Sequence, residues 1–308
     1  MKWYFTLILL TVLCNFDVFA QTKVIAHRGY WDCEGSAQNS IFGLKKAQEI
    51  GIYGSEFDVI ITSDGIPVIN HDSKIKGSND SLLTIENTPF EQIKGLKLKN
   101  GELLPTLESY LEQGKKNKKT KLILEIKPHS TKEIEDKAVK IITEMVSKSG
   151  MEKQTEYISF SMNICKEILR YQPKAEIAYL NGDFSPSEVK KAGLTGLDYH
   201  FEIFRTHPEW IAEAKKLGLT TNVWTVNDLS IMRKMIDLKV DFITTDKPEI
   251  LKSLLYSNKK AGFAEAVHQK STHYCTSQTR PVLKTNRSYF TFHSILPTRI
   301  LHQSRIFL

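Results

Sequence analysis

The sequence predicts an α/β fold, a TIM (β/α)8 barrel with a small insertion after the second strand. Short apolar runs alternate with helical patterns between Lys23 and Ser257, which is typical of βα units around a parallel sheet. The runs number eight, and eight units favour a closed barrel over an open doubly wound sheet. No glycine-rich phosphate loop follows the first run, which also disfavours the open sheet.

Strands and helices alternate along the whole of this region. The predicted strands are Val24–Ala26, Tyr53–Ile61, Leu122–Ile126, Tyr157–Ser161, Glu176–Leu180, Gly196–Phe201, Thr221–Val226 and Asp241–Thr244. The predicted helices are Ser40–Ile50, Lys132–Ser149, Asn163–Arg170, Ser187–Ala192, Pro208–Leu217, Asp228–Leu238 and Pro248–Tyr256. From Ser73 to Pro105 the chain is longer and more polar than an ordinary βα connection, so we expect an insertion above the barrel rather than a separate domain.

The two ends of the chain differ from the barrel region, 21–257. Residues 1–20 have the pattern of a secretory signal peptide: a basic start, an apolar run too short to span a bilayer, and a small-residue cleavage site ending at Ala20. We therefore expect export, to the periplasm or the medium, without a stable membrane anchor. Residues 258–308 are basic and lack an apolar period, so we expect a poorly ordered tail.

Charge and cysteine content exclude several classes of protein. The net charge is +7, but the body of the chain up to residue 257 holds 34 basic and 34 acidic residues, so the excess lies in the tail. A neutral body does not support nucleic-acid binding. Beyond the signal sequence, Cys33, Cys165 and Cys275 have no paired spacing and indicate neither a disulfide framework nor a zinc site. No pattern specifies an oligomeric state.

Three carboxylates are predicted to point into one mouth of the barrel. Glu56 and Asp58 lie two positions apart in the second predicted strand, so they share a face, and Glu125 lies near the end of the third. Three such carboxylates would repel one another unless a positive charge lay between them. One hard divalent cation, Mg²⁺ or Ca²⁺, suits oxygen ligands, and the sequence does not choose between the two.

Basic and titratable residues accompany these carboxylates. Arg28 follows the first strand and Lys127 the third, where they could neutralise a bound anion. His27 and His71 suit proton transfer because the pKa of an imidazole lies close to neutral pH. Taken singly, each residue is more often structural, but their joint position indicates phosphoryl transfer or hydrolysis. Three other histidines have no such partners, and structural roles are expected for them: His129, His200 and His207.

An ordered series of motifs over roughly residues 23–257 is similar to the glycerophosphodiester phosphodiesterase family. The motifs are Ala26-His27-Arg28-Gly29, Glu56-Phe57-Asp58-Val59, Val68-Ile69-Asn70-His71-Asp72, Leu104-Pro105-Thr106-Leu107-Glu108, Leu124-Glu125-Ile126-Lys127, Val223-Trp224-Thr225-Val226-Asn227 and Thr244-Thr245-Asp246-Lys247-Pro248. Each motif alone would be a weak signal, and the resemblance depends on the whole set and its order.

The resemblance implies an activity and a set of roles. The family is a TIM barrel with an insertion after the second strand, and it hydrolyses glycerophosphodiesters to glycerol 3-phosphate and an alcohol with Mg²⁺ or Ca²⁺. It implies the following roles: metal ligands Glu56, Asp58 and Glu125, the acid–base pair His27 and His71, and the phosphate-binding residues Arg28 and Lys127. Trp224 would be a wall for the glycerol carbons, although a strand aromatic could equally belong to the core.

The chain departs from the family at one position. The family usually has Glu-Asn-Thr about ten residues after its His-Arg-Gly, and this chain has Gln38-Asn39-Ser40. Gln38 keeps an oxygen ligand, loses a charge and gains a hydrogen-bond donor, so we expect it to bind substrate. The literal Glu86-Asn87-Thr88 lies inside the insertion and is not its equivalent.

Two alternative functions remain open at this stage. One is a phospholipase-type phosphodiesterase acting on lipid headgroups, which would need an apolar rim that the insertion hardly offers. The other is a non-catalytic glycerophosphodiester-binding protein, for which Gln38 is the only support. No motif identifies the alcohol that would be released.

Overall fold

Eight parallel strands close into a barrel in the computed structural model, which describes residues 21–257. The predicted signal peptide, 1–20, and the predicted tail, 258–308, lie outside the described residues. The strands are β1 (Lys23–Ala26), β2 (Gly54–Ile61), β3 (Pro67–Ile69), β4 (Lys74–Lys76), β5 (Leu82–Thr84), β6 (Lys121–Ile126), β7 (Thr155–Ser159), β8 (Ile177–Tyr179), β9 (Gly196–His200), β10 (Thr220–Trp224) and β11 (Phe242–Thr245).

The barrel closes because its first two strands pair with each other. The order of its strands is β1-β11-β10-β9-β8-β7-β6-β2, every neighbouring pair is parallel, and β1 also pairs with β2. All eight predicted barrel strands are confirmed, each to within two residues at its ends. A (β/α)8 barrel places its binding groups at the carboxyl ends of these strands and in the loops that follow.

Helices cover the outside of the barrel. They are α1 (Ile41–Glu49), α2 (Leu107–Lys115), α3 (Lys132–Lys148), α4 (Met162–Tyr171), α5 (Pro186–Lys191), α6 (Phe201–Thr206), α7 (Glu209–Lys216), α8 (Leu229–Asp237) and α9 (248–257). Hydroxyl or carboxylate side chains of Ser40, Thr131, Ser161 and Asp228 accept hydrogen bonds from the first turns of α1, α3, α4 and α8. No described helix is long and apolar enough to cross a bilayer.

The two helices that the sequence analysis did not predict are α2 and α6. Leu107, Tyr110 and Leu111 of α2 are buried at helical spacing, and Thr106 and Ser109 form a reciprocal cap at its start. That signal was present in the sequence. By contrast, α6 has only six residues, which is too short for an apolar period to show.

The insertion folds back against the second barrel strand. The strand that precedes it, β3, pairs antiparallel with β2, and β4 and β5 form a separate hairpin within the insertion. A small apolar core under this segment contains Ile60, Val68, Ile85, Ile93 and Leu104. Because β3 runs antiparallel to β2, starting opposite Ile61, it brings the residues that follow it next to Asp58.

Apolar side chains fill both sides of the barrel wall. Between the strands and the helices lies the main core, and inside the barrel lies a smaller cluster of Ile25, Ile123, Ile158, Leu180 and Phe242. The interior cluster supports the polar side chains above it.

Candidate active site

Three buried carboxylates form the centre of the candidate site. Glu56 and Asp58 lie in β2 and Glu125 in β6, with Asp58 and Glu125 opposite each other in the register of the two strands. None is more than 6% exposed, and one ligand atom from each lies within 4.8 Å of the others. The predicted convergence is therefore confirmed in position.

Burial and mutual repulsion disturb the titration of this cluster. Burial, together with the neighbouring carboxylates, raises the pKa of Glu56 well above its usual value. Burial and the charge of Asp58 raise the pKa of Glu125 to about 8. Burial also acts to raise the pKa of Asp58, but Lys127 and other donors outweigh it and hold that pKa below its usual value. Three close carboxylates with these opposed shifts fit a hard divalent cation, which takes oxygen ligands.

Two basic side chains contact the cluster. Nζ of Lys127 lies 2.8 Å from Oε1 of Glu125 and 3.2 Å from Oδ1 of Asp58, and Nε of Arg28 lies 3.7 Å from Oδ2 of Asp58. The backbone N–H of Arg28 also donates to Oε2 of Glu56 at 2.6 Å. Their positive charges offset the negative charges of the carboxylates, and Arg28 also lines the cavity described below.

A tight turn after β1 makes the backbone contact of Arg28 possible. Arg28 and Gly29 both have positive φ, of 53° and 78°. At Gly29 a Cβ atom would lie 3.0 Å from the backbone of Gly43, so a side chain is excluded on both conformational and steric grounds. The glycine of the His-Arg-Gly motif thus directs the N–H of Arg28 toward Glu56.

His27 is held by a carboxylate from the last barrel strand's loop. Its Nδ1 lies 2.8 Å from Oδ1 of Asp246, which also accepts a hydrogen bond from Nε1 of Trp31 at 2.9 Å. Nδ2 of Asn227 donates to Oδ2 of Asp246 at 2.6 Å. Although burial raises the pKa of Asp246, the donors around it lower that pKa below its usual value. An ionised Asp246 favours the tautomer of His27 that carries its proton on Nδ1.

His71 lies at the outer edge of the same site, just after β3. Its Nδ1 is 2.7 Å from Oδ1 of Asp72, and its side chain is 41% exposed. The backbone N–H of Asn70 donates to the carbonyl of Asp58 at 3.1 Å, which fixes this segment against β2. Partial burial lowers the pKa of His71 despite the opposing charge of Asp58. A neutral imidazole is therefore available near neutral pH.

Both histidines, Arg28 and the three carboxylates line one cavity of about 110 Å³. The remaining lining residues are Ile158, Phe160, Leu180, Asp198, Trp224, Thr225 and Thr244. The ring of Trp224 packs edge-on against Phe160 at 5.6 Å, so it both borders the cavity and belongs to an aromatic cluster.

Gln38 contacts the site through Arg28. Its side chain is exposed, and its Oε1 accepts a hydrogen bond from Nη1 of Arg28 at 3.0 Å. The next residue, Asn39, bonds Asp58 twice: Nδ2 donates to Oδ2 at 2.9 Å, and Oδ1 accepts from the backbone N–H at 3.2 Å. Glu86, in the insertion, instead accepts a bond from the N–H of Ser130.

The sequence model of the Glycerophosphoryl diester phosphodiesterase family matches residues 27–250. The chain belongs to this family. A glycerophosphodiester phosphodiesterase from Caldanaerobacter subterraneus subsp. tengcongensis is 30% identical over 245 residues, covering 76% of this chain and 98% of the relative. As a member of the family the chain is an enzyme, a phosphoric diester hydrolase.

Solved structures of similar proteins share the fold. A glycerophosphodiester phosphodiesterase from Parabacteroides distasonis superposes with a TM-score of 0.75 and 50% identity, covering 78% of this chain and 99% of that one. A phosphodiesterase from Oleispira antarctica, in complex with the product sn-glycerol-3-phosphate, has a TM-score of 0.65 and 25% identity, covering 76% and 96% of the two chains. These comparisons confirm the predicted (β/α)8 barrel.

Sequence reasoning assigned no role to several residues that contact the histidines and carboxylates of the site. Asp246 lies in a motif that carried the resemblance, and Asn39 lies in the segment where the chain departs from the family, yet neither was given a role. Trp31 had no signal at all in the sequence. Among the three histidines expected to be structural, His129 accepts a bond from the N–H of Ile61, and the ring of His207 stacks on a tryptophan.

Proposed function

We propose that the protein hydrolyses glycerophosphodiesters to glycerol 3-phosphate and an alcohol, with a divalent cation at Glu56, Asp58 and Glu125 and with His27 and His71 as the acid–base pair. The observation that carries this proposal is the cluster of three buried carboxylates that shares a cavity with both histidines. The product complex of the relative from Oleispira antarctica supports the choice of substrate class.

The cation site suits a hard ion on the chemistry of its donors. The three ligand residues offer only oxygen atoms, and Asn39 and Arg28 hold two of the carboxylates in place. When bound, Mg²⁺ or Ca²⁺ would supply Lewis-acid polarisation of a phosphoryl oxygen.

The protein's own residues would bind the diester and move the protons. Arg28 and Lys127 place two positive charges beside the cavity, which favours an anionic phosphodiester. With Nδ1 of His27 facing Asp246 and Nδ1 of His71 facing Asp72, each imidazole has its Nε2 free to give or take a proton. One histidine would protonate the leaving alcohol and the other would activate the attacking hydroxyl or water.

The proposal includes a site of action outside the cytoplasm. The pattern of residues 1–20 supports export to the periplasm or the medium, where small glycerophosphodiesters would be the substrates. Fractionation of cells that express the full chain, with detection of a species shortened by the signal sequence, tests this part of the proposal.

The release of glycerol 3-phosphate from glycerophosphocholine tests the activity. The protein is stripped with a chelator and assayed alone, with Mg²⁺ and with Ca²⁺. We expect turnover only with a divalent cation. Turnover of phosphatidylinositol micelles but not of glycerophosphocholine would favour the phospholipase alternative. Binding of glycerophosphocholine without turnover under any condition would favour the non-catalytic alternative.

A further inference from the structure

Asp198 is a buried carboxylate in the cavity to which the proposed mechanism gives no role. It lies in the middle of β9, faces the barrel interior and is 2% exposed. It borders the same cavity as His27 and Glu125, on the side formed by Leu180 and Trp224. Sequence reasoning gave it no role, because one acidic residue in an apolar strand carries no distinctive signal.

The carboxylate of Asp198 is not satisfied by its neighbours. Among the described residues, its Oδ1 has no hydrogen-bond partner, and no basic side chain forms an ion pair with it. Asn222 is its neighbour in the strand register and contacts the carboxylate. The side chain of Asn222 is shared, because its Nδ2 donates a hydrogen bond to the hydroxyl of Thr244. A buried polar atom without a partner is uncommon in folded proteins and calls for a ligand or an ordered water.

Burial has the expected effect on this group: it raises the pKa of Asp198 to about 7. At neutral pH the group is therefore both carboxylate and carboxylic acid, and it can accept or donate a hydrogen bond. A hydroxyl is the partner that suits both forms, because it too can donate and accept. A phosphate oxygen only accepts hydrogen bonds, so it would suit only the protonated form of Asp198.

The position of Asp198 favours the glycerol half of the substrate over the alcohol half. Ile158, Leu180, Asp198 and Thr244 are each at most 6% exposed, so this side of the cavity is enclosed, whereas His71 lies at its open edge. The enclosed side suits the constant part of a family of substrates, and the open side admits leaving groups of different size. Glycerol presents carbon atoms to Leu180 and hydroxyls to a carboxylate.

Trp224, which borders the cavity beside Asp198, is hydrogen-bonded to the backbone of Asp198. Nε1 of Trp224 donates a hydrogen bond to the backbone carbonyl of Asp198 at 2.9 Å. This hydrogen bond joins the indole on β10 to the backbone of the adjacent strand β9, which carries the carboxylate. An apolar wall with a few placed polar groups is the usual lining of a site that binds a small molecule.

We propose that Asp198 hydrogen-bonds a hydroxyl of the glycerol moiety and thereby selects diesters of glycerol over diesters of alkyl alcohols, an inference that rests on the proposed function. Asp198 is a specificity residue in this scheme and takes no part in proton transfer.

Solvent from the other end of the barrel is the competing partner. Asp198 also borders a second cavity, of about 360 Å³, at the amino ends of the strands. There Glu156 is already paired, with the hydroxyl of Tyr53 at 2.5 Å and with Nζ of Lys121 at 3.3 Å. If water from this cavity satisfies Asp198, the residue affects stability but not the choice of substrate.

A pair of substrates separates these two roles. Glycerophosphocholine and propyl phosphocholine differ only in the two hydroxyls of the glycerol. We expect Asp198→Leu to lower kcat/KM for glycerophosphocholine about 10- to 100-fold, mainly through KM, and to leave propyl phosphocholine within about 3-fold. Asp198→Asn keeps polar atoms in place and should recover much of the preference.

The controls keep the test decisive. Asp198→Ser replaces the carboxylate by a smaller side chain. It takes the place of the leucine variant if thermal unfolding shows that the leucine variant does not fold. Equal losses on both substrates, or an unchanged preference for glycerophosphocholine, would overturn the proposal.

A binding measurement separates failure of this inference from failure of the proposed function. Should the wild type fail to hydrolyse both diesters, or propyl phosphocholine alone, calorimetric affinities for sn-glycerol 3-phosphate and propyl phosphate provide the same comparison. A wild-type preference for glycerol 3-phosphate that Asp198→Leu abolishes supports the role of Asp198 even then. No preference in the wild type refutes it.

Discussion

Nδ1 of His27 lies 2.8 Å from Oδ1 of Asp246, although the two residues are 219 positions apart in the chain. β1 pairs with β11, the last strand of the barrel along the chain, and this pairing brings the ends of the two strands together. The hydrogen bonds of Trp31 and Asn227 hold the carboxylate at its position. This contact makes Asp246 a candidate positioning residue, which would fix the tautomer and the orientation of His27.

Replacing this carboxylate with an amide tests the arrangement. We expect Asp246→Asn to lower kcat roughly 10²–10⁴-fold with little change in KM, because the amide can hold the wrong tautomer of His27. Steady-state kinetics on glycerophosphocholine measures the change. Trp31→Phe, which removes one donor to Asp246 but leaves the contact with His27, should cost far less. A wild-type kcat in Asp246→Asn would contradict the role.

The two histidines can be told apart by the leaving group. We expect His27→Ala and His71→Ala each to lower kcat on glycerophosphocholine roughly 10²–10⁴-fold, the usual effect of a positioned proton donor or acceptor. A substrate that releases p-nitrophenolate needs no protonation of its leaving group, so the variant that lacks the general acid should regain most of its rate. The double variant should lose less than the product of the single losses. Wild-type kcat in either single variant would remove that histidine from the mechanism.

Metal dependence has a signature in stability as well as in activity. Removing divalent cations should abolish turnover, and adding Mg²⁺ or Ca²⁺ should restore it. In the metal-free protein the pKa of Glu125 is raised to about 8, above about 4.3 in the unfolded chain. Between these values the folded state binds more protons than the unfolded state, so the stability of the metal-free protein falls as pH rises.

The gain in Tm on adding cation should therefore be larger at pH 8 than at pH 5, where protons compete for the ligands. Thermal unfolding with and without chelator at the two pH values measures it. Glu125→Gln should reduce the difference. Equal gains at both pH values, or full activity in a chelated sample shown to contain no metal, would count against the cation site.

Gln38 is the place where the chain departs from the usual family motif. A glutamate there would add a negative charge next to Arg28, which Gln38 already contacts. We expect Gln38→Glu to tighten metal binding by about 1–2 kcal/mol at the effective dielectric of a partly wet site, without raising kcat/KM on glycerophosphocholine. Gln38→Met, neutral and similar in length, is the matched control. A large gain in activity in the glutamate variant would show that the natural residue impairs catalysis.

The strands of the barrel could be predicted from the sequence more completely than its helices and the contacts in its site. The eight strands were predictable because each is an apolar run bounded by polar residues, and Glu56 and Asp58 were placed on one face by the two-residue period of a strand. The helix α2 was also encoded, in the spacing of Leu107, Tyr110 and Leu111, and was missed. Short elements such as α6 form because the rest of the barrel holds their ends.

The sequence by itself determined the alternation of strands and helices and the order of the polar residues at the strand ends, because both depend on local periodicity and spacing. Only the tertiary structure decided which of these residues meet. The contacts of Asp246 with His27 and of Asn39 with Asp58, and the enclosure of Asp198 beside Trp224, join distant parts of the chain. They exist because the barrel closes and its strand register brings those side chains into one cavity, and no local pattern in the chain records that geometry.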